Sequence, residues 1–231
     1  QVLSLDGSRS REAPFPMSVD TFPPHPAAPR RPRLAARIVE AGKKRVAATI
    51  LEEIPNPSES PLEIVLAQTL SKGDRMDYAV QKATELGVTR IVPLTSERCD
   101  VRLRGDREDK RLKHWQQVAI SAAEQCGRAR VPQLMPVMSL PEWFDLARDC
   151  DLRLVLHHRT EQSLTTLARP TRVALMIGPE GGFSGDEVAA AEAAGFVPVA
   201  LGPRVLRTET APVAALTLCQ WLWGDFGGHR G

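Results

Sequence analysis

From Leu62 onward, short apolar runs alternate with longer stretches of helical period. "LEIVLAQTL" reads as a strand, and "DRMDYAVQKATELG" as a helix with Asp74 at its N-cap and Gly87 as its stop. "TRIVPLTS" is the next strand. A long helix follows over about 106–126, with Leu112, Trp115, Val118, Ala119, Ala122 and Cys126 on one face and Gly127 ending it. "LMPV" reads as a short strand, "SLPEWFDLAR" as a short helix and "LRLVLHH" as a strand. The pattern closes with one unit used twice. "VALMI" runs into Gly178-Pro179-Glu180-Gly181-Gly182 and then a helix for which Ser184 and Glu187 form a capping box. "VPVAL" runs into Gly202 and "PRVLRTE", then a helix with Thr210 as N-cap and Pro212 in its first turn. Strands apolar on both faces and separated by helices predict an α/β fold with a parallel sheet.

Upstream the pattern differs. Residues 35–39 and 46–50 alternate in strand fashion about a turn at 41–44. The stretch 14–32 holds seven prolines and predicts extended or irregular chain, because proline removes backbone donors and blocks helix. "PNPSESP" at 55–61 has linker composition. These features predict two domains, 1–57 and 58–231, the first a β module with an irregular segment at 14–32.

Composition narrows the class. The 231 residues are 42% apolar and 25% charged, which suits a globular chain with a sizeable core. No apolar run approaches the roughly 20 residues that span a bilayer. The opening residues carry no basic stretch leading into a long apolar core, so no secretory signal is expected. Four scattered cysteines without a CxxC, and no histidine pair at ligand spacing, point to buried thiols in a reducing compartment and to no metal. A cytoplasmic protein is expected. The formal charge of +2 is uneven: residues 1–45 hold nine Lys/Arg against four Asp/Glu, and the rest is acidic by three. A basic N-terminal segment suits a polyanion such as RNA, or is simply a solvated tail.

In parallel α/β sheets ligands sit beyond the carboxyl ends of strands, where both glycine loops lie. "GPEGG" is neither GxxxxGK[ST] nor GxGxxG, and it places a carboxylate where a phosphate would need a cation. A neutral or cationic ligand offering base edges, such as adenosine joined to a sulfonium, fits better. A tight structural turn is the alternative for either loop taken alone.

Together, "LMIGPEGGFSGDE", "LGPRVLRTETA", "AISAAEQCGRARVP" and "DYAVQKATELGVTRIVPLTSERC" resemble the RsmE family, SPOUT-class methyltransferases that methylate N3 of a uridine in small-subunit (16S) ribosomal RNA. The resemblance covers about residues 38–226. It implies a C-terminal domain ending in a trefoil knot, an arrangement nearly absent from ordinary folds. It implies S-adenosylmethionine held by Leu156 and His157, by the loop of Ile177, Gly178, Pro179, Glu180, Gly181 and Gly182, and by Leu201, Gly202, Leu206, Arg207 and Thr208. It further implies a homodimer through the knot region, and a PUA-like β-barrel at the N-terminus that helps bind the ribosomal RNA or the small subunit. "LSLDG" at 3–7 fits the family's start, while the proline-rich 14–32 and the lack of further upstream strands depart from it, so an incomplete or partly disordered module is expected.

Transfer to uridine N3 requires loss of the ring proton and stabilisation of charge on the two carbonyl oxygens. Arg207 is the candidate for that stabilisation and Glu209 for base or orienting group. Competing roles are a salt bridge between the two and, for Glu209, a first-turn carboxylate favoured by the helix dipole. Glu180 either faces the sulfonium or shapes its loop. Glu124 and Arg128 flank the end of the long helix, as RNA or partner contacts or as a helix cap. Arg98, Arg102, Arg104 and Arg107 are candidate phosphate contacts. Two other readings stay open: a nucleotide- or phosphate-binding α/β enzyme, and a non-catalytic RNA-binding protein with the same fold.

Overall fold

The computed structural model describes residues 2–6, 33–43, 45–54, 58–158 and 160–227. The chain divides into two compact units, Gln1–Ser58 and Glu59–Gly231. In the first, β1 (Val2–Asp6), β2 (Arg33–Ala41) and β3 (Arg45–Ile54) form an antiparallel sheet in the order β1-β3-β2. The two predicted strands are β2 and β3. The unexpected third, β1, pairs along β3 from Val2 opposite Thr49 to Asp6 opposite Arg45. Leu3 and Leu5 alternate with Ser4 and Asp6, a strand signal readable in the sequence. The stretch 14–32 lies outside the described residues.

The second unit is a six-stranded parallel sheet in the order β6-β5-β4-β8-β7-β9. Its strands are β4 (Glu63–Thr69), β5 (Arg90–Leu94), β6 (Gln133–Leu134), β7 (Leu152–Leu156), β8 (Arg172–Ile177) and β9 (Val197–Val199). The helices are α1 (Arg75–Glu85), α2 (Asp106–Cys126), α3 (Leu140–Ala147), α4 (Gly185–Ala193) and α5 (Thr210–Leu222). Alternate residues of β4 serve opposite faces. Ile64 and Leu66 join a core with Met76 and Val80 of α1, Trp115 of α2 and Leu216 of α5. Val65 and Ala67 join a second core with Trp143 of α3 and Val188 of α4. Covering both faces is why these strands read as unbroken apolar runs. The expected strand at 134–137 is only two residues long, because Leu94 pairs again only at an isolated bridge to Met138.

The capping chemistry is mixed. Ser184 and Glu187 make the predicted capping box on α4, and Ser139 with Glu142 makes another on α3. Asp74 occupies the N-cap of α1 without a side-chain cap bond. At α5 the N-cap is Glu209, and Thr210 is the first helical residue rather than the cap.

Arg128 is a brace. Its side chain is 4% exposed, bonds Glu59 Oε2 at 2.9 Å, and donates to the carbonyls of Thr84 and Val88 at 2.9 and 2.8 Å. Glu59 also accepts from the Arg130 amide at 3.1 Å. Arg128, weighed as an RNA or partner contact or as a helix cap, here turns its donors onto Glu59 and onto the carbonyls at the end of α1. Arg128→Ala strands Glu59 without its charged partner, and is expected to cost about 3–5 kcal/mol, read as a lower urea midpoint with an unchanged slope.

Asp151 ties the starts of β7 and β8. Hydrogen bonds from the Thr171 hydroxyl and from the amides of Thr171 and Arg172 hold its carboxyl below the usual carboxylate range. Because the folded value is the depressed one, this stabilisation is complete above the ordinary value of 3.8 and is lost as pH falls through the folded value. Asp151→Asn is expected to lower stability near neutral pH and to flatten its acid-side decline, as measured by denaturant titrations between pH 7 and pH 3.

Candidate active site

β4 ends in two polar residues, and both are buried: Gln68 is 1% exposed and Thr69 is fully enclosed. Enclosed polar groups need protein partners. The Thr69 hydroxyl donates to the Ile177 carbonyl at 2.8 Å. Gln68 Nε2 donates to the Thr208 hydroxyl at 3.0 Å, which donates in turn to the Gly178 carbonyl at 3.0 Å. Thr208 thus joins the loop after β9 to the loop after β8, beside the central strand. Gln68 Oε1 is enclosed and makes no hydrogen bond.

These contacts bring the predicted loop residues together. Ile177 and Pro179 are buried and Gly178 half-buried, while Glu180 and Gly181 are exposed. The Gly178 Cα hydrogens face the Phe183 ring and amide, where a Cβ would come within 3.2 Å. Gly182 at φ +66° and Gly202 at φ +99° take conformations that suit only glycine, and each faces open space. The third strand end is tied in by the His157 amide, which donates to the Val199 carbonyl at 3.0 Å. Leu156, Leu201 and Leu206 are half-buried around it and pack on the core.

The charged candidates are arranged differently from expectation. Glu180 pairs with Arg75 in the first turn of α1, and Glu209 Oε2 lies 3.9 Å from the same guanidinium. Arg75 therefore meets both loops, and the salt bridge weighed as a competing role for Glu209 runs to Arg75. Arg207 is exposed, and its carbonyl accepts from the amides of Thr210 and Ala211 to start α5. Arg98 donates to the Gly181 carbonyl at 2.9 Å, fastening a basic loop to the glycine loop. Arg102, Arg104, Arg107 and Glu124 are exposed on the surface. His157 is half-buried, with its ring 5.4 Å from that of His158.

Sequence reasoning missed Gln68, Thr69 and Arg75. A glutamine and a threonine ending an otherwise apolar central strand were a readable anomaly at the ligand edge of the sheet. An arginine in a first helical turn, against the dipole, was another. Cys150 and Cys219 are buried free thiols. Burial pushes the thiols of Cys150 and Cys219 up to about 12, which leaves both un-ionised and unreactive. Among the described residues, no cluster of histidine, cysteine and carboxylate side chains is placed to hold a metal, and no helix is long and apolar enough to cross a membrane.

Two openings adjoin the site. A groove of about 710 Å³ runs along Arg75 and Tyr78 to Glu209 and Thr210, and a smaller cavity of about 210 Å³ lies beside it.

Glycine loops beyond the carboxyl ends of a parallel sheet stand where α/β folds bind ligands. Comparison with known proteins narrows this. Residues 58–220 match the RNA methyltransferase domain family. The chain is 35% identical over 192 residues to ribosomal RNA small subunit methyltransferase E of Buchnera aphidicola, covering 83% of this chain and 76% of that one. The enzyme of the same name from Mycobacterium bovis is 38% identical, with 80% and 72% covered. The Neisseria gonorrhoeae structure of that name, bound to S-adenosyl methionine, is 43% identical with a TM-score of 0.76, covering 84% of this chain and 80% of that one. The chain belongs to the family of ribosomal RNA small subunit methyltransferase E.

Thr208→Val removes the hydroxyl that serves both Gln68 and Gly178. It is expected to cost about 1–3 kcal/mol by leaving enclosed polar groups unpaired, while Thr208→Ser stays near wild type; urea unfolding of both variants provides the comparison.

Proposed function

We propose that this protein transfers a methyl group from S-adenosylmethionine to N3 of a uridine in the 16S ribosomal RNA of the small subunit. The observation that carries the proposal is the Thr208 tie, which sets two glycine loops against each other at the end of the central strand. The residues fit this donor. Gly182 and Gly202 let a ligand reach the backbone, Leu156, Leu201 and Leu206 offer apolar walls to an adenine, and the loop carries the carboxylate of Glu180 in place of a phosphate-binding lysine. Leu156, His157, Ile177 to Gly182, Leu201, Gly202 and Leu206 to Thr208 would hold it. Bound there, S-adenosylmethionine supplies an electrophilic methyl group on a sulfonium.

This chain's own residues do the rest. The groove beside Glu209 admits the uracil ring. Arg207 stabilises the charge that gathers on the ring oxygens as the N3 proton leaves. Glu209, steadied by Arg75, orients the ring or accepts that proton. Positioning contributes much of the remaining acceleration. Arg98, Arg102, Arg104 and Glu124 meet the RNA, and the N-terminal β unit serves as a PUA-like RNA-binding module.

A threaded C-terminus is supported by the path of the chain. It leaves the edge strand β9, with the Ala200 amide donating to the Gln162 carbonyl of the β7–β8 connection, and returns to bond β4 at the sheet's centre. A homodimer through this region is supported by α5. Its outer face exposes Leu218 at 39% and Trp221 at 61%, an unusual display of large apolar surface. Cytoplasmic residence follows from a ribosomal substrate.

The test is methyl transfer by the purified protein to small subunits lacking the modification, read as 3-methyluridine in nucleoside digests. Arg207→Ala is expected to lower kcat about a hundredfold. Unchanged digests, or a site that takes ATP and rejects adenosylhomocysteine, would end this reading.

A further inference from the structure

Two openings meet at one lysine. Lys72 and Gly73 line both the groove at Arg75, Tyr78 and Glu209 and the smaller cavity of about 210 Å³. The walls of the smaller cavity are largely apolar: Leu70, Val101, Leu103 and Trp115, with Ser71 and Arg111 completing it. The segment after β5 builds this by alternation. Val101 and Leu103 are half-buried and pack on the core, while Arg102 and Arg104 between and after them are exposed. The result is an apolar recess with two cations in its lining, Lys72 and Arg111, and two more on the loop that walls it. Asp100 is bonded to Lys72 at 2.6 Å with both side chains more than 60% exposed, and Asp77 accepts from the Trp115 indole N–H at 2.9 Å. An ion pair so exposed is weak and gives way readily to a phosphate.

We infer that the recess holds the base of a nucleotide next to the methylated one, with the linking phosphate on Lys72 and a further phosphate on Arg111. The occupant is single-stranded RNA. A recess of this volume suits one planar base, its apolar walls suit the base faces, and its cations suit the backbone. A lysine shared by two adjacent openings stands where the phosphate between two successive bases must lie. This rests on the proposed reaction for the identity of the groove's occupant. It adds a reading site outside the glycine loops, and with it a source of sequence preference beside the target.

The test uses the full chain and a fluorescent single-stranded oligoribonucleotide carrying the target uridine, titrated over a series of salt concentrations. The double variant Lys72→Gln/Arg111→Gln is expected to bind about tenfold or more weakly at low salt. The slope of log K against log salt should fall by about 1.4, or 0.7 for each lost phosphate contact on a single strand. Leu103→Trp, which fills the recess, is expected to weaken binding with the slope unchanged. Thermal unfolding confirms that each variant is folded, and adenosylhomocysteine binding is expected to match wild type in both. If Leu103→Trp does not fold, 4-thiouridine placed beside the target replaces it, and its crosslinks should fall within residues 70–72 and 101–115. Wild-type affinity and slope in the double variant overturn the inference, as does wild-type protein that fails to bind the oligonucleotide. Methyl transfer to small subunits is measured separately. Its absence removes the proposed reaction, while the binding slopes still decide the recess.

Discussion

Gln68 and Thr69 stand at the end of a strand enclosed on both faces, and two enclosed polar side chains must find partners in whatever covers them. What covers them is the pair of loops from β8 and β9. The loop after β8 supplies the carbonyls of Ile177 and Gly178, and the loop after β9 supplies Thr208. Each bond contributes only about 1 kcal/mol net, but leaving any one unmade costs more. That asymmetry makes the seam a constraint on geometry more than a source of stability. Since β9 is the edge strand and β4 is central, the seam also decides that the last loop crosses back over the sheet instead of continuing outward.

A methyl donor and an RNA impose opposite electrostatic demands, and the site separates them. Carboxylates lie on the loops: Glu180 within the first and Glu209 at the end of the second, both facing Arg75. Besides Arg207 on the second loop, cations lie at Lys72, Arg98, Arg102, Arg104 and Arg111. Arg75 sits between the two zones at the positive end of α1, where a cation gains nothing from the helix. Two carboxylates offset that cost. A single guanidinium can then hold both loops, its own charge balanced by two carboxylates.

Much of this was legible because parallel sheets write themselves plainly. The strands are apolar on both faces, the helices carry periodic faces and caps, and α2 runs over the expected 106–126. The glycine loops were legible for the same reason, since open positive-φ positions at Gly182 and Gly202 have a compositional mark. The cross-sheet partners were not. Nothing local in "EIVLAQT" says that its glutamine bonds a threonine 140 positions later. Arg128 shows the converse limit: beside a helix end it looked like a ligand contact or a cap, and only the fold supplied Glu59 and two carbonyls to enclose it. Sequence pattern reports burial and period, whereas pairing across long separations is a property of topology.

The final helix joins the site to the surface. Its first turn is set by the Arg207 carbonyl, its inner face buries Ala215, Leu216 and Cys219, and Gln220 within it bonds Ser60 and the Leu86 carbonyl. With so many internal ties, α5 cannot shift without moving the loop that carries Arg207 and Thr208. The same helix turns Leu218 and Trp221 outward. On the proposed dimer, a second chain covering that face would restrain the helix from outside as the seam at Gln68 restrains its leading loop from inside. Association and donor binding would then favour the same placement of residues 201–210. Coupling of this kind needs no signal relayed through the core, because one rigid element carries both surfaces.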